Sequence, residues 1–451
     1  MKKFDAVIIG FGKGGKTLAS ELAKNGKTVA VIEKSSGMYG GTCINIACIP
    51  TKSLVHSADN RKYSNTAKEE FYTNAIHQKD ELTSLLRDKN FHMIDDQQQI
   101  TVITGEATFL HDEKVQVKTV EGQFEVTAEQ FFINTGAIPV VPPIDGLEHA
   151  DFVYNSTTLQ ELEQLPEKLI IIGGGYIGLE FASMYANFGS EVIVIDSNED
   201  FLPNEDRDIA EQVKEVLEDK SIKIVQNSRV ESVQNRDGGV VTRYKEGDTL
   251  REVFGNAVLL ATGRKPNTES LGLDNTSIEV NDRGAIIVND TLKTKVKNIW
   301  ALGDVNGGPQ FTYISLDDFR IVKDQLFGDK SYTKKDRTNI PYSVFIDPIL
   351  SHVGLNEKMA NEKGIEYKVL SMSAEGIPRA RILEKTEGLL KALIDPKTDE
   401  ILGCTLFCAE SSEMINVVRV AMEAKLPYTF LRDTIFTHPT MSESLNDLFG
   451  G

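Results

Sequence analysis

The sequence predicts an α/β fold containing two Rossmann-like dinucleotide-binding domains. Two observations carry this. The fingerprint G-x-G-x-x-G occurs twice, each time between an apolar strand and a helical stretch, and each copy is followed at the same offset by an acid that closes the next strand. Each unit is also followed, far downstream, by an apolar strand ending in Thr-Gly.

The first unit is "FDAVIIGFGKGGKTLASELAKNGKTVAVIEK", which reads strand, glycine turn, helix, strand. Gly10, Gly12 and Gly15 allow a tight turn and close approach of a pyrophosphate to a helix N-terminus. Glu33, eighteen residues after Gly15, is placed to accept from a ribose hydroxyl. Residues 10–17, "GFGKGGKT", also satisfy the P-loop pattern, which would put Lys16 on phosphates and Thr17 on magnesium. A P-loop explains neither Glu33 nor a second copy, so the dinucleotide reading is preferred. That second copy is "EKLIIIGGGYIGLEFASMYANFGSEVIVIDS", with Gly173, Gly175 and Gly178, and with Asp196 again eighteen residues on. The Thr-Gly strands are "FFINTGAIP" (131–139, with Gly136) and "LLATGRKPN" (259–267, with Gly263).

Two dinucleotide sites in one chain predict electron flow between them, with a nicotinamide donor and a flavin acceptor as the natural pair. Ser197, Asn198 and Glu199 follow Asp196, with no Arg or Lys to hold a 2′-phosphate. NADH is therefore expected over NADPH, unless an arginine from elsewhere, such as Arg264, reaches the site.

The bulk properties exclude several classes. The chain has 451 residues, enough for two to four domains. Its net charge of −18 argues against nucleic acid or an anionic membrane as partner. Four cysteines are too few for a secreted disulfide scaffold. Lys2 and Lys3 before an apolar run mimic a signal peptide, but Asp5 and Gly10 interrupt the run, so a first strand and a cytoplasmic protein are expected. No apolar run approaches the length of a membrane span.

"YGGTCINIACIPTK", residues 39–52, places Cys43 and Cys48 five apart. Three readings compete: packing, half of a zinc site, and a working dithiol. Zinc would need two more ligands, and the remaining cysteines, Cys404 and Cys408, lie far along the chain. Pro50 suits the first turn of a helix beginning at the pair, and a cysteine at a helix N-terminus has a stabilised thiolate. Lys52, four after Cys48, shares its helical face. Cys404 and Cys408 occupy an apolar strand, where a four-residue spacing separates their backbones by roughly 13 Å, too far for a disulfide; core packing is expected.

"GGTCINIACIPTK" resembles the redox-active motif of the flavoprotein disulfide reductases, the pyridine nucleotide-disulfide oxidoreductase family of glutathione reductase, dihydrolipoamide dehydrogenase and mercuric reductase. The resemblance spans the chain through both fingerprints, both Thr-Gly strands, "ALGDV" (301–305) and "HPTMSE" (438–443). It implies that the first unit binds FAD, through Gly10, Gly12, Gly15, Glu33, Gly41, Thr42, Lys52, Gly136 and Asp304. The second would bind NAD(P)H through Gly173, Gly175, Gly178, Asp196 and Gly263. By the same resemblance Cys48 is the thiolate against the flavin and Cys43 the thiol that meets substrate. Lys52 is implied to pair with Glu180, which by position alone reads as a first-turn helix carboxylate. His438 and Glu443 are implied to form an acid–base pair serving the partner subunit's dithiol, which makes the protein a homodimer with a C-terminal α+β dimerisation domain. The implied organisation is 1–145 for FAD, 146–265 for NAD(P)H, 266–336 as a central FAD-linked segment and 337–451 as the interface domain.

"FGKGGKTLA", "QFTYISLDDFRIV" (310–322) and "HPTMSESLNDLF" (438–449) are similar to the reactive-chlorine-resistance branch of this family, associated with reduction of hypothiocyanous acid and of Cu(II). The expected function is NAD(P)H-dependent reduction of a small reactive oxidant, most readily hypothiocyanous acid, in oxidative-stress defence, with no resident metal. Cu(II) or Hg(II)-like metal reduction is the first alternative; a dihydrolipoamide dehydrogenase or glutathione-type reductase follows. A redox sensor without turnover and an oxygen-reducing NADH oxidase are the readings from other classes. Ala47 stands where the family usually has Gly, which matters only if its φ is positive.

Overall fold

The structure, a computed structural model, describes residues 1–451. The chain divides into two compact units. The first comprises Met1–Leu54, Asn74–Val140 and Gly263–Arg337, the second Val55–Thr73, Val141–Thr262 and Thr338–Gly451.

The first unit is built on β1 (Lys2–Ile9), which continues through Gly12 into α1 (Lys13–Lys24) and returns as β2 (Val29–Glu33). Next come α2 (Thr42–Asn45), α3 (Cys48–Asn60) and α4 (Lys68–Asp95), then β3 (Ile100–Thr104), β4 (Glu106–His111), β5 (Lys114–Thr119) and β6 (Gly122–Ile133). The seven-stranded sheet runs β3-β2-β1-β6-β5-β4, with the strand Ile299–Ala301 also paired to β6. Neighbours of β1 are parallel, with Ile8 opposite Val31 on one side and Phe132 on the other; β4, β5 and β6 form an antiparallel meander. Ala6, Val7, Ile8 and Ile9 are all buried, as a parallel strand covered on both faces requires. Helix α1 covers one face with Leu18, Ala19 and Leu22.

The second unit carries the other Rossmann-like sheet. Five parallel strands run Ile222–Val225, Glu191–Ile195, Lys168–Ile172, Ala257–Leu260, Val153–Asn155. A three-stranded antiparallel sheet, Ser228–Arg236, Gly239–Glu246 and Thr249–Gly255, adjoins it in sequence. The C-terminal part is α+β. A five-stranded antiparallel sheet ordered Tyr342–Val344, Leu350–Gly354, Ile401–Phe407, Leu389–Ile394, Lys368–Ser373 packs with the helices Ser411–Glu423 and Ser444–Gly450. The expected fold class, α/β with two Rossmann-like domains and an α+β C-terminal domain, is the observed one.

Residues 55–73, expected in the FAD segment, cluster instead with the second unit. The reason is Tyr72: it is fully buried against Tyr185 and Phe188, and its hydroxyl donates to Leu162 O at 3.0 Å. Cys404 lies on the strand Ile401–Phe407 and Cys408 just beyond its end, both in the core of the C-terminal part, with Cys408 Sγ 3.9 Å from Met414 Sδ. Burial raises both thiols, Cys408 to about 12, so both are packing groups. Nearby, Asp206, Asp208 and Glu357 gather around the buried Lys391 ammonium, which lies 3.2 Å from Asp206 and 2.8 Å from Asp208 and also pairs with Glu357. No helix is long and apolar enough to cross a membrane.

Candidate active site

The first fingerprint forms the turn between β1 and α1. Gly10 has φ +100, and a Cβ there would strike the Asn134 carbonyl. Gly12 is the N-cap of α1, and Gly15 N donates to Asn134 Oδ1 at 2.9 Å. The side-chain-free turn at the start of α1 makes a cradle of the kind a pyrophosphate needs. Glu33, at the end of β2, accepts from Phe11 N at 2.9 Å, so its carboxylate faces the turn, and burial raises its pKa. The residues present therefore fit a dinucleotide. They do not fit a P-loop: Lys16 is buried and donates to Asn90 Oδ1, and Thr17 Oγ1 donates to Lys13 O at 2.7 Å.

The dithiol segment lies against this turn. Gly41, with φ +81, caps α2, and a Cβ there would fall 2.7 Å from Gly12 Cα. Glycine at 41 is thus required both by conformation and by contact. Thr42 and Cys43 follow in α2, and Cys48 is the first residue of α3. The single helix expected to begin at the pair is instead two, and the break between α2 and α3 puts each cysteine near the start of its own helix. Ala47 has no positive φ, so alanine fits where the family has glycine. Helix α4 holds the segment: Arg87 Nε donates to Asn45 Oδ1 at 3.0 Å, and Asn45 Nδ2 donates to the carbonyls of Tyr39 and Gly41, both at 2.9 Å. Tyr39 stacks on Phe91 with ring centroids 4.7 Å apart.

Both cysteines are free and half-buried. They are polarised in opposite directions. Cys48 is pushed down to about 6, chiefly by the hydrogen bond it accepts from the Cys43 thiol, then by Thr312 and the Lys52 cation, against burial. Cys43 is pushed up by that same bond, by burial and by the Cys48 charge; Thr312 and Lys16 pull it down. Cys48 Sγ lies 3.5 Å from Thr312 Oγ1 at the start of the helix Thr312–Phe327. At neutral pH the charge rests on Cys48 and the proton on Cys43.

Asp304 lies in the short turn Gly303–Asn306 of the first unit. Burial raises its pKa and Arg264 opposes the rise. The turn is anchored from behind: Gly303 N donates to Asp318 Oδ2 at 2.7 Å, and Arg337 bridges Asp318 (2.5 Å) and Asp317 (2.7 Å). Arg264 also donates to Ala137 O at 2.5 Å. Gly136 (φ +70) and Gly263 (φ +101) close the two Thr-Gly strands.

In the second unit, Gly173, Gly175 and Gly178 form the turn between the strand Lys168–Ile172 and the helix Tyr176–Phe188. Asp196, 3% exposed, directly follows the strand Glu191–Ile195, with its carboxylate against Gly174, and accepts from Asn198 Nδ2 at 3.1 Å. Glu180 is buried in the second turn of its helix, not the first, and its Oε1 accepts from Phe345 N at 2.9 Å. His438 Nδ1 lies 2.8 Å from Glu443 Oε2, and that bond lowers the Glu443 carboxyl. The imidazole is largely exposed. Lys52, Cys43 and Cys48 thus belong to the first unit, and Glu180, Asp196, His438 and Glu443 to the second.

Sequence reasoning missed Asn134, Ser315, Asn90 and the role of Thr312. Asn134 Nδ2 donates to Leu302 O at 2.7 Å and Ser315 Oγ accepts from Gly14 N at 3.1 Å. These are contacts between distant segments with no local pattern, although Asn134 lies within "FFINTGAIP" and both Thr312 and Ser315 lie within "QFTYISLDDFRIV".

Comparison with known proteins agrees with this geometry. The model of the "Pyridine nucleotide-disulphide oxidoreductase" family matches residues 4–318, and that of the "Pyridine nucleotide-disulphide oxidoreductase, dimerisation domain" matches 340–449. The chain is 50% identical to the "Probable pyridine nucleotide-disulfide oxidoreductase RclA" of Escherichia coli (strain K12), over 100% of this chain and 99% of that one. It is 33% identical to a "Mercuric reductase" of Lysinibacillus sphaericus, over 98% of this chain and 81% of the relative. Among solved structures it matches the "Cu(II) complex of HOCl-induced flavoprotein disulfide reductase RclA from Escherichia coli" with a TM-score of 0.95 at 50% identity, covering 100% of this chain and 99% of that one. The chain belongs to the pyridine nucleotide-disulfide oxidoreductase family of flavoprotein reductases.

Proposed function

We propose that the protein is an NADH-dependent reductase of a small electrophilic oxidant, hypothiocyanous acid first among them, working through Cys43 and Cys48. The observation that carries this reading is the polarised thiol pair: a thiolate at a helix start beside a protonated neighbour. Segments 1–145 and 266–336 would hold FAD, 146–265 the nicotinamide and 337–451 the interface of a homodimer. Gly10, Gly12, Gly15 and α1 receive the FAD pyrophosphate, Glu33 a ribose hydroxyl and Asp304 the remaining polar chain, with Gly41, Thr42, Lys52 and Gly136 lining the flavin. Gly173, Gly175, Gly178, Asp196 and Gly263 receive NADH. Asp196 followed by Asn198 favours NADH, because a 2′-phosphate would meet a carboxylate. FAD, when bound, carries the electron pair between nicotinamide and Cys48.

Two electrons open the Cys43–Cys48 disulfide, leaving the thiolate on Cys48 and a thiol on Cys43. Lys52 stabilises the Cys48 thiolate. His438 of the partner subunit, oriented by its own Glu443, takes the Cys43 proton. Cys43 sulfur attacks the sulfur of HOSCN, and hydroxide leaves as water with that proton. Cys48 then attacks Cys43 of the Cys43–S–SCN adduct, expels thiocyanate and restores the disulfide. The balance is NADH + HOSCN → NAD⁺ + SCN⁻ + H₂O. Paired thiolates are also soft ligands and electron donors for Cu(II), which is the second reading. The similarity to a reductase solved as a Cu(II) complex favours testing it.

The test is NADH consumption by the FAD-loaded protein against hypothiocyanous acid, Cu(II), oxidised glutathione and lipoamide, with Cys43→Ser alongside. Rapid turnover of hypothiocyanous acid, abolished in Cys43→Ser, is expected. Preference for glutathione or lipoamide would overturn the small-oxidant reading, and retained activity in Cys43→Ser would overturn the dithiol mechanism.

A further inference from the structure

Thr312 reaches the dithiol from a distant part of the first unit's sequence. It is the first residue of the helix Thr312–Phe327, and its Oγ1 lies 3.5 Å from Cys48 Sγ, within hydrogen-bond reach of a sulfur. A thiolate has no proton to give, so with Cys48 ionised the hydroxyl is the donor. Lys52 acts on Cys48 as a charge, whereas Thr312 is neutral and acts by contact.

The hydroxyl is held in place from several directions. Phe311 and Tyr313, on either side of it in the chain, stack with ring centroids 5.0 Å apart and planes 9° apart. One turn on, Ser315 Oγ accepts from Gly14 N at 3.1 Å and lies 3.4 Å from Asn134 Nδ2. Asp318, a further turn along, accepts from Gly303 N at 2.7 Å and pairs with Arg337. Threonine is itself stiff at χ1. A donor fixed in this way needs no rearrangement when charge settles on the sulfur. The other groups acting on Cys48 are Cys43 and Lys52, and Cys48 in turn acts on Arg264.

A hydrogen bond donated to a thiolate has two opposed consequences. It favours the ionised form, and it draws charge from the sulfur, which makes that sulfur a weaker nucleophile. We propose that Thr312 is a catalytic side chain of the dithiol: its hydroxyl donates to Cys48 Sγ in the reduced protein, keeping the charge on Cys48 while damping the nucleophilicity of that sulfur. The proposal deepens the dithiol mechanism and rests on Cys48 being its ionised member. Its test reads Cys48 alone. Failure of every oxidant in a substrate panel would leave it standing, and its own failure would leave the choice of oxidant untouched.

The experiment uses full-length, FAD-loaded Cys43→Ser protein, in which Cys48 is the remaining thiol of the pair. Alkylation by iodoacetamide is followed from pH 5 to 10 and located to Cys48 by peptide fragmentation. Thr312→Val keeps the shape and removes the donor, and is expected to raise the midpoint by about one pH unit. With a Brønsted coefficient of about 0.4–0.5, the limiting rate on the alkaline plateau then rises about threefold. On the acid limb the thiolate is about tenfold scarcer, so the net rate there falls about three- to fourfold. The two profiles therefore cross. Thr312→Ser restores the hydroxyl and is expected to stay within about twofold of the parent at every pH. A valine profile that superimposes on the parent overturns the proposal. So does one slowed by the same factor at every pH, which is the signature of a structural role, or a serine variant that behaves as valine does. Should the valine variant fail to load FAD, Thr312→Ala is read instead: crossing profiles are expected, and parallel or superimposed ones overturn the proposal.

Discussion

Removing the Cys43 thiol should disarm Cys48 without touching it. The Cys48 thiol falls from an ordinary 9 to about 6, and the hydrogen bond from Cys43 is the largest contribution. A group at 6 is about nine-tenths thiolate at pH 7, and one at 9 about one-hundredth. Cys43→Ala deletes the donor and leaves Thr312 and Lys52 in place, so the return is partial: a rise of roughly one to two pH units and a fall of about tenfold in thiolate near pH 6. The sign follows from the thiolate being the form above the midpoint; raising the midpoint removes thiolate from the acid side of neutral. The assay is the pH dependence of Cys48 alkylation in reduced full-length protein, read on the Cys48 peptide. A Cys48 midpoint that stays near 6 in Cys43→Ala, or that lies near 9 in the parent, refutes the polarised pair.

Three further outcomes follow from named contacts. Gly41→Ala puts a methyl against Gly12 Cα at positive φ and is expected to cost about 1–3 kcal/mol, read as a lower melting temperature together with reduced FAD content on purification. Arg337→Leu strands the buried Asp318 carboxylate behind the Asp304 turn and is expected to cost about 3–5 kcal/mol by chemical denaturation; a loss under 1 kcal/mol would show that the pair contributes little. Glu443→Gln keeps the shape of the His438 contact and removes its negative charge, and is expected to lower kcat roughly tenfold with the melting temperature unchanged.

Much of the architecture was legible because it repeats. The two fingerprints, their acids at equal offsets and the Thr-Gly strands are local patterns, and each marks a strand–turn–helix junction whose geometry glycine alone permits. Cys43, Cys48 and Lys52 were legible for the same reason, being close in sequence. The supports were not. Thr312 reaches Cys48 across 264 residues, and Asn134 bridges Gly15 to Leu302. No periodicity reports such pairs, because they exist only once the sheet has brought distant segments together. Lys16 is the opposite case: the local P-loop pattern that would put it on phosphates is outweighed by the second fingerprint, and the structure buries its side chain against Asn90. The helix expected at the dithiol is interrupted between the cysteines, since the C-cap of α2 at Ile46 lets Cys48 begin a new N-terminus and keep its thiolate.

The most direct test of the central claim is a single-turnover map of the four cysteines. Protein reduced with NADH is divided, and one half receives one equivalent of hypothiocyanous acid before both halves are alkylated and analysed by mass. Cys43 and Cys48 should be alkylated in the untreated half and joined to each other in the treated half, with Cys404 and Cys408 the same in both. Consumption of the oxidant with Cys43 and Cys48 still alkylated in the treated half would contradict the account, because the electrons would then have left the protein by a route that does not pass through the dithiol.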